Sequence, residues 1–251
     1  LNRQKAGEGV DSLRKKLQQE LEKQSDIQIL RSDSWGLRVD VLTITYTTVT
    51  RTVMDILMKM ILLTIQKLEV SDSKMIAEFL AVDPLFAENL FRKMQAGKMI
   101  ELRKGHFELT GIGAAQLQSG IFEHPPEKEE RKFYYSVCHD KILCEEPEKV
   151  FTSKLKPFRL AAEQKNKAAA LEDEQLRTAL LAAGAEAAEG SLQKVVVHID
   201  NPQVTMNQQI PCVEFYVFNR TENSRFTRVW NTLTEEWDEQ LEKLIDEQIL
   251  P

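Results

Sequence analysis

The sequence predicts an α+β protein: a central domain of three helices and a hairpin, then a second small lobe with an antiparallel meander, a long Ala-rich helix and a C-terminal amphipathic helix. Three observations predict it. Between Thr52 and Gly97, apolar residues recur three and four positions apart in three successive segments. Two short apolar stretches then flank Lys104-Gly105. Beyond residue 132, β-branched runs alternate with clusters of turn formers before one last helical stripe. The chain divides accordingly into an N-terminal helix and strand over 1–51, a central domain over 52–121, an exposed linker over 122–132 and an α+β C-terminal domain over 133–251.

Val10, Leu13, Leu17 and Leu21 form one apolar stripe on a short helix, the predicted seam of a homodimer. After the turn-forming "SDSWG", the run "LRVDVLTITYTTVT" alternates Val39, Val41, Thr43 and Thr45 with Asp40, Leu42, Ile44 and Tyr46, as a strand does. From Thr52 the period becomes helical, and Val53, Ile56, Leu57, Met60, Ile61 and Leu63 to Ile65 cover more than half the circumference, so this helix is central to its domain. Ser71 or Asp72 caps a second helix bearing Met75, Ile76, Phe79 and Leu80. Asp83-Pro84 supplies the cap and first position of a third, on which Phe86, Leu90 and Met94 recur until Gly97.

"KMIELRKGHFELT" reads as a hairpin and the following "GIGAAQL" as a short helix. Two prolines and a charge run make "FEHPPEKEERK" a linker. "FYYSVCHDKIL" reads as one or two strands, and Phe158 to Ala188 as a long helix or a helical hairpin broken near Gly184. "LQKVVVHID", "IPCVEFYVF" and "RFTRVW" form the meander. Leu233, Trp237, Leu241, Leu244 and Ile245 mark a final helix that packs on it with its acids outward.

Helix, helix, helix, hairpin is the order of a winged helix. On "GKMIELRKGHFELTGIGAAQL", residues 52–120 resemble the winged helix-turn-helix domain of MarR-like and related regulators. The resemblance makes the expected central domain a winged helix and implies contact with double-stranded DNA, the third helix in a major groove and the hairpin along the backbone. It assigns Asn89, Arg92 and Lys93 on the third helix, Lys98 after it, and Arg103, Lys104 and His106 on the hairpin to the nucleic acid. The cations would meet phosphates and Asn89 would read a base.

Charge argues both ways. The net charge is −6, and residues 232–251, with seven acids and one base, account for all of it. Residues 51–121 carry nine bases against eight acids, a net of only +1, which is a thin footprint for a polyanion. "DPLFAEN" places Leu85 and Glu88 where base-reading side chains belong, an arrangement better suited to a protein partner. The first reading is therefore a DNA-binding regulator or a subunit of a nucleic-acid-handling assembly. The alternative is a protein-interaction adaptor built on the same fold.

An enzyme is the weakest reading. Cys138, His139 and Cys144 in "CHDKILC" lack a second ligand pair at zinc spacing, and buried apolar thiols are the commoner case. His198 and Asp200 share one strand face without a nucleophile. No phosphate loop, dinucleotide fingerprint or nucleophile elbow occurs, so neither cofactor nor metal is expected. "MDILMKMILLTI" contains Lys59 and is about half a membrane span. The first residues lack a secretory apolar run, and three cysteines suggest no disulfide framework, so a cytoplasmic protein is expected.

Overall fold

The computed structural model describes residues 2–146, 155–160 and 171–249. In chain order they form α1 (Asn2–Leu21), β1 (Ile27–Val53), α2 (Ile56–Lys67), α3 (Ser73–Leu80), α4 (Pro84–Ala96), β2 (Ile100–Arg103), β3 (His106–Leu109), α5 (Gly111–Ser119) and β4 (Ile121–Glu123). There follow β5 (Glu127–Ser136), β6 (Lys141–Glu145), α6 (Asp173–Ala182), β7 (Ala187–Glu189), β8 (Leu192–Ile199), β9 (Gln203–Asn219), β10 (Ser224–Asn231), β11 (Glu236–Trp237) and α7 (Glu239–Ile249).

The expected architecture, a central winged helix followed by a small lobe with a long Ala-rich helix, is not the one formed. Strand, at 42%, outweighs helix, at 34%, and nine strands join one antiparallel sheet. Its path is β11-β10-β9-β1-β5-β6, with β4 and β8 also paired to β1 and β7 to β8. The organising element is β1, whose 27 residues far exceed the run that alternation alone marks out. "SDSWG" looks like a break, yet Trp35 and Gly36 sit opposite Cys212 and Pro211 of β9. At Gly36 the strand passes close to Gln209, whose Oε1 would stand 2.5 Å from an added Cβ.

The meander is corrected too. β9 and β10 pair, from Ser224 opposite Asn219 to Asn231 opposite Cys212, but β8 pairs with β1 and not with β9. Strand patterning shows which segments extend, not which partners they take, and the N-terminal strand supplied the missing partner. Residues 122–132, expected as linker, hold β4 and the first half of β5. Of the expected Ala-rich helix, residues 161–170 lie outside the described residues. Among those described, Asp173–Ala182 is helical and Ala187–Glu189 is strand.

The chain forms two compact units, 1–45 with 130–179 and 200–251, and 46–129 with 180–199. In the first, Trp35, Leu37, Val39, Tyr134, Ile210 and Cys212 bury against Leu241 and Ile245 of α7. The stripe of α1 covers the same strand region elsewhere: Val10 and Leu17 bury against Val213, Phe215 and Val217 of β9. The predicted dimer seam on α1 is thus consumed by its own sheet.

In the second unit, Met58, Ile61, Leu62 and Ile65 of α2 bury with Ile76 of α3, Leu90, Phe91 and Met94 of α4, and Met99 and Ile100. Three aspartates start the helices. Asp55 accepts from Leu57 N–H, Asp72 from Met75 N–H, and Asp83 from Leu85 and Phe86 N–H. Lys104 and Gly105, both at positive φ, turn β2 into β3. Thr110 caps α5 by accepting from Gly113 N–H, and a Cβ on Gly113 would fall 2.1 Å from the Met99 carbonyl oxygen. The "LTGIG" motif therefore serves close packing of α5 on the start of β2.

Candidate functional site

The outer side of α4 and the β2–β3 hairpin carry the predicted nucleic-acid residues. Ala87, Leu90, Phe91 and Met94 take the inner face of α4, which leaves Asn89, Arg92 and Lys93 exposed on the other. Lys98 is exposed in the turn after Gly97, and Lys104 is exposed at the hairpin tip. Arg103 and His106 face each other across the ladder.

Three of these groups, Arg92, Arg103 and His106, already face carboxylates. Arg92 Nη2 lies 2.5 Å from Glu88 Oε1, a pair one helical turn long. Arg103 is 2.6 Å from Glu101 and 3.9 Å from Glu108, while His106 Nε2 is 3.1 Å from Glu108. Glu101 and Glu108 are themselves register partners, so the hairpin carries a carboxylate pair beside its basic tip. At the start of α4, where a helix would offer N–H groups to a phosphate, the Asp83 carboxylate already occupies two of them.

What the unit exposes instead is apolar. Leu85 is 75% exposed and Phe79 62%, with Phe86 and Met75 also in contact with solvent. Their chain positions, Met75 to Phe86, span α3, its left-handed cap Ala81 and the first turn of α4. The surrounding segment 72–88 holds four acids (Asp72, Glu78, Asp83, Glu88) against Lys74, a net of −3. Sequence reasoning placed Phe79 and Phe86 on apolar helix faces. The structure shows that Ile76, Ala77, Leu90 and Met94 fill the core without them.

A second constellation escaped the sequence because its members are far apart. His139, in the turn between β5 and β6, stands 3.0 Å through Nε2 from both Asp238 oxygens and 2.6 Å through Nδ1 from the Ser136 hydroxyl. Asn231 donates to Asp238 at 2.9 Å, and Asp238 also caps α7 by accepting from Leu241 N–H. Burial pushes the Asp238 carboxyl up, but the hydrogen bond and charge of His139, with the Asn231 and Leu241 donors, outweigh it and hold the carboxyl below its ordinary range. Because the ionised carboxylate only accepts, Nε2 carries a hydrogen.

Serine, histidine and aspartate in a row invite comparison with a hydrolytic triad. Ser136 is wholly buried, however, and does not line the adjoining cleft of about 670 Å³, which Lys141, Leu143, Trp237 and Lys243 share with His139. No substrate atom reaches its hydroxyl, and the trio works as a clasp between the β5–β6 turn and α7. The signal that could have found it is Asp238 at the start of an amphipathic stripe, a cap position.

The three cysteines belong to the apolar core. Cys138 and Cys212 are buried in one apolar cluster with Cys144 packed against it, all three as free thiols. Burial raises the Cys138 and Cys144 thiols to about 11 and Cys212 well above its usual value. Among the described residues, no group of three or more His, Cys, Asp or Glu side chains is placed to hold a metal. His198 is exposed on β8, and Asp200 follows the strand's end. No helix among the described residues is long and apolar enough to cross a membrane.

Comparison with protein-family models, with curated proteins and with solved structures gives no match.

Proposed function

We propose that the α2–α4 and hairpin unit is a protein-docking module whose partner is a basic amphipathic segment. The observation that carries this reading is the exposure of Leu85 and Phe79 in a segment, 72–88, whose net charge is −3. Apolar side chains set out from a completed core lose hydration only by meeting another surface. The segment's net charge of −3, with Glu78 exposed on it, favours lysine or arginine around the partner's apolar anchors. A helix with leucines on one face and basic residues on the other meets both requirements.

The competing reading is DNA binding through Arg92, Lys93, Lys98, Arg103, Lys104 and His106, with Asn89 reading a base. It is disfavoured because the two arginines are paired to acids of their own elements and the α4 start is capped by Asp83. At Arg92 and Arg103 a phosphate would compete with a carboxylate already in place, at the modest cost of an exposed pair.

A synthetic helix of about 18 residues, leucine on one face and lysine on the other, serves as probe in fluorescence anisotropy. Wild type is expected to bind it, and Phe79→Ser with Leu85→Ser to bind at least about tenfold more weakly. A peptide with glutamate in place of lysine is expected to bind poorly. A random DNA duplex at about 50 mM salt is the counter-test. Duplex binding that falls steeply with salt and is weakened by Arg103→Ala would reinstate the DNA reading, and equal peptide binding by the double variant would remove the docking face.

A further inference from the structure

A different observation concerns α2. Its core face is Met58, Ile61, Leu62 and Ile65, and directly opposite, Ile56, Met60 and Leu63 form an exposed stripe that Lys67 continues. Ile56 is 69% exposed, more than any other isoleucine of the chain's described residues. Just before the helix, Val53 at the end of β1 and Ile121 of β4 are register partners and are both exposed. Together these five side chains show roughly 400 Å² of apolar surface, a size at which an exposed patch marks a contact site.

We infer that this face pairs with the same face of a second copy of the chain, the two α2 helices lying antiparallel across a two-fold axis. The stripe is self-complementary in that arrangement. For a helix spanning Ile56–Lys67, full antiparallel overlap sets Met60 of one copy against Leu63 of the other, twice, at the centre. The same overlap brings Ile56 against the aliphatic stem of Lys67, and the Asp55 cap beside the Lys67 ammonium, once at each end. Opposite charges thus meet at both ends, and the helix dipoles run head to tail. In a parallel pair, Lys67 would meet Lys67 and Asp55 would meet Asp55. The apolar area is about half the 800 Å² per partner of a standard interface, so the dimer is weak and reversible. The pairing is independent of the docking face on α3 and α4.

Sedimentation equilibrium of the full chain across roughly 1–100 µM, a range in which weak dimers dissociate, tests it. Wild type is expected to pass from monomer to dimer. Met60→Glu with Leu63→Glu, at positions remote from the core, is expected to stay monomeric with an unchanged far-ultraviolet circular dichroism spectrum. Lys67→Asp, which sets like charges against Asp55, is expected to weaken the dimer about tenfold, and added salt to narrow the difference. A wild type that is monomeric throughout, or a dimer that survives both variants, overturns the inference.

Discussion

Single side chains hold distant parts of the first unit together. Asp238 accepts from His139, from Asn231 and from the first turn of α7. Glu214, almost wholly buried, accepts from Trp35 Nε1 at 2.7 Å and from two nitrogens of Arg159 at 2.9 and 3.3 Å. Removing Asp238 strands the buried His139 and Asn231 donors, whereas removing Glu214 strands Trp35 Nε1 and leaves Arg159 able to turn to solvent. Asp238→Ala is expected to cost on the order of 3 kcal/mol in urea unfolding, and Glu214→Ala less, about 2 kcal/mol. Glu214→Gln keeps an acceptor for Trp35 and is expected to cost less.

The pH dependence follows from the signs. Asp238 has a folded pKa below its unfolded value, so its stabilisation is full above about pH 4 and is lost as pH falls through the folded value. Glu129, held low by Lys194 against partial burial and helped by Thr48 and Tyr46, acts in the same direction. Glu242 acts oppositely. Burial raises it, so its favourable contribution is complete below its unfolded pKa and is lost as pH rises through the folded one. Unfolding midpoints measured from pH 3 to 7 are therefore expected to fall on the acid side, and the fall to flatten in Asp238→Asn. An unchanged acid limb in that variant would show that the clasp does not carry the charge assigned to it.

At the scale of elements, α7 shows how a charged helix can be read wrongly. Its acids were expected to face solvent, and Glu239 and Glu247 do. Glu242 instead accepts from Val229 N–H at 3.0 Å and Asp246 from Thr227 N–H at 3.3 Å, along the β10 edge that β11 covers only at Trp230 and Asn231. Side chains thereby satisfy backbone donors that would otherwise offer an open strand edge. Glu242→Ala with Asp246→Ala is expected to speed amide exchange at Thr227 and Val229 about fivefold, at roughly 1 kcal/mol per bond. Exchange unchanged at those amides would mean that another group protects them.

Glycines separate by what they approach. Gly113→Ala would drive a Cβ into the Met99 backbone and is expected to cost about 2 kcal/mol or more. At Gly36 the obstacle is the Gln209 side chain, which can turn aside, so alanine there is expected to cost about 1 kcal/mol. Thermal unfolding of the two variants ranks them.

For the molecule as a whole, local chemistry was legible and long-range pairing was not. The caps at Asp72 and Asp83, the turn at Lys104-Gly105 and the stripes of α1 and α7 depend on neighbours within one or two turns of chain, and the sequence displays such neighbours directly. The partner of β9 is β1, more than 160 residues away at Trp35 and Cys212, and periodicity contains no term for it. The same holds for His139 and Asp238. At the candidate site the sequence showed which residues could face outward, and even that Leu85 and Glu88 suit a protein partner. It could not show that Glu88 and Glu101 would already hold Arg92 and Arg103.

The central claim is that the second unit presents to a protein the exposed apolar side chains of its acidic segment 72–88. Methyl-detected NMR of the full chain during titration with the lysine–leucine helix tests it most directly. The account predicts saturable shifts at Met75 and Leu85, with Met58 and Ile61 in the α2 core undisturbed. Shifts confined to Leu102 beside the hairpin tip, or their absence at Leu85 when binding is complete, would contradict it.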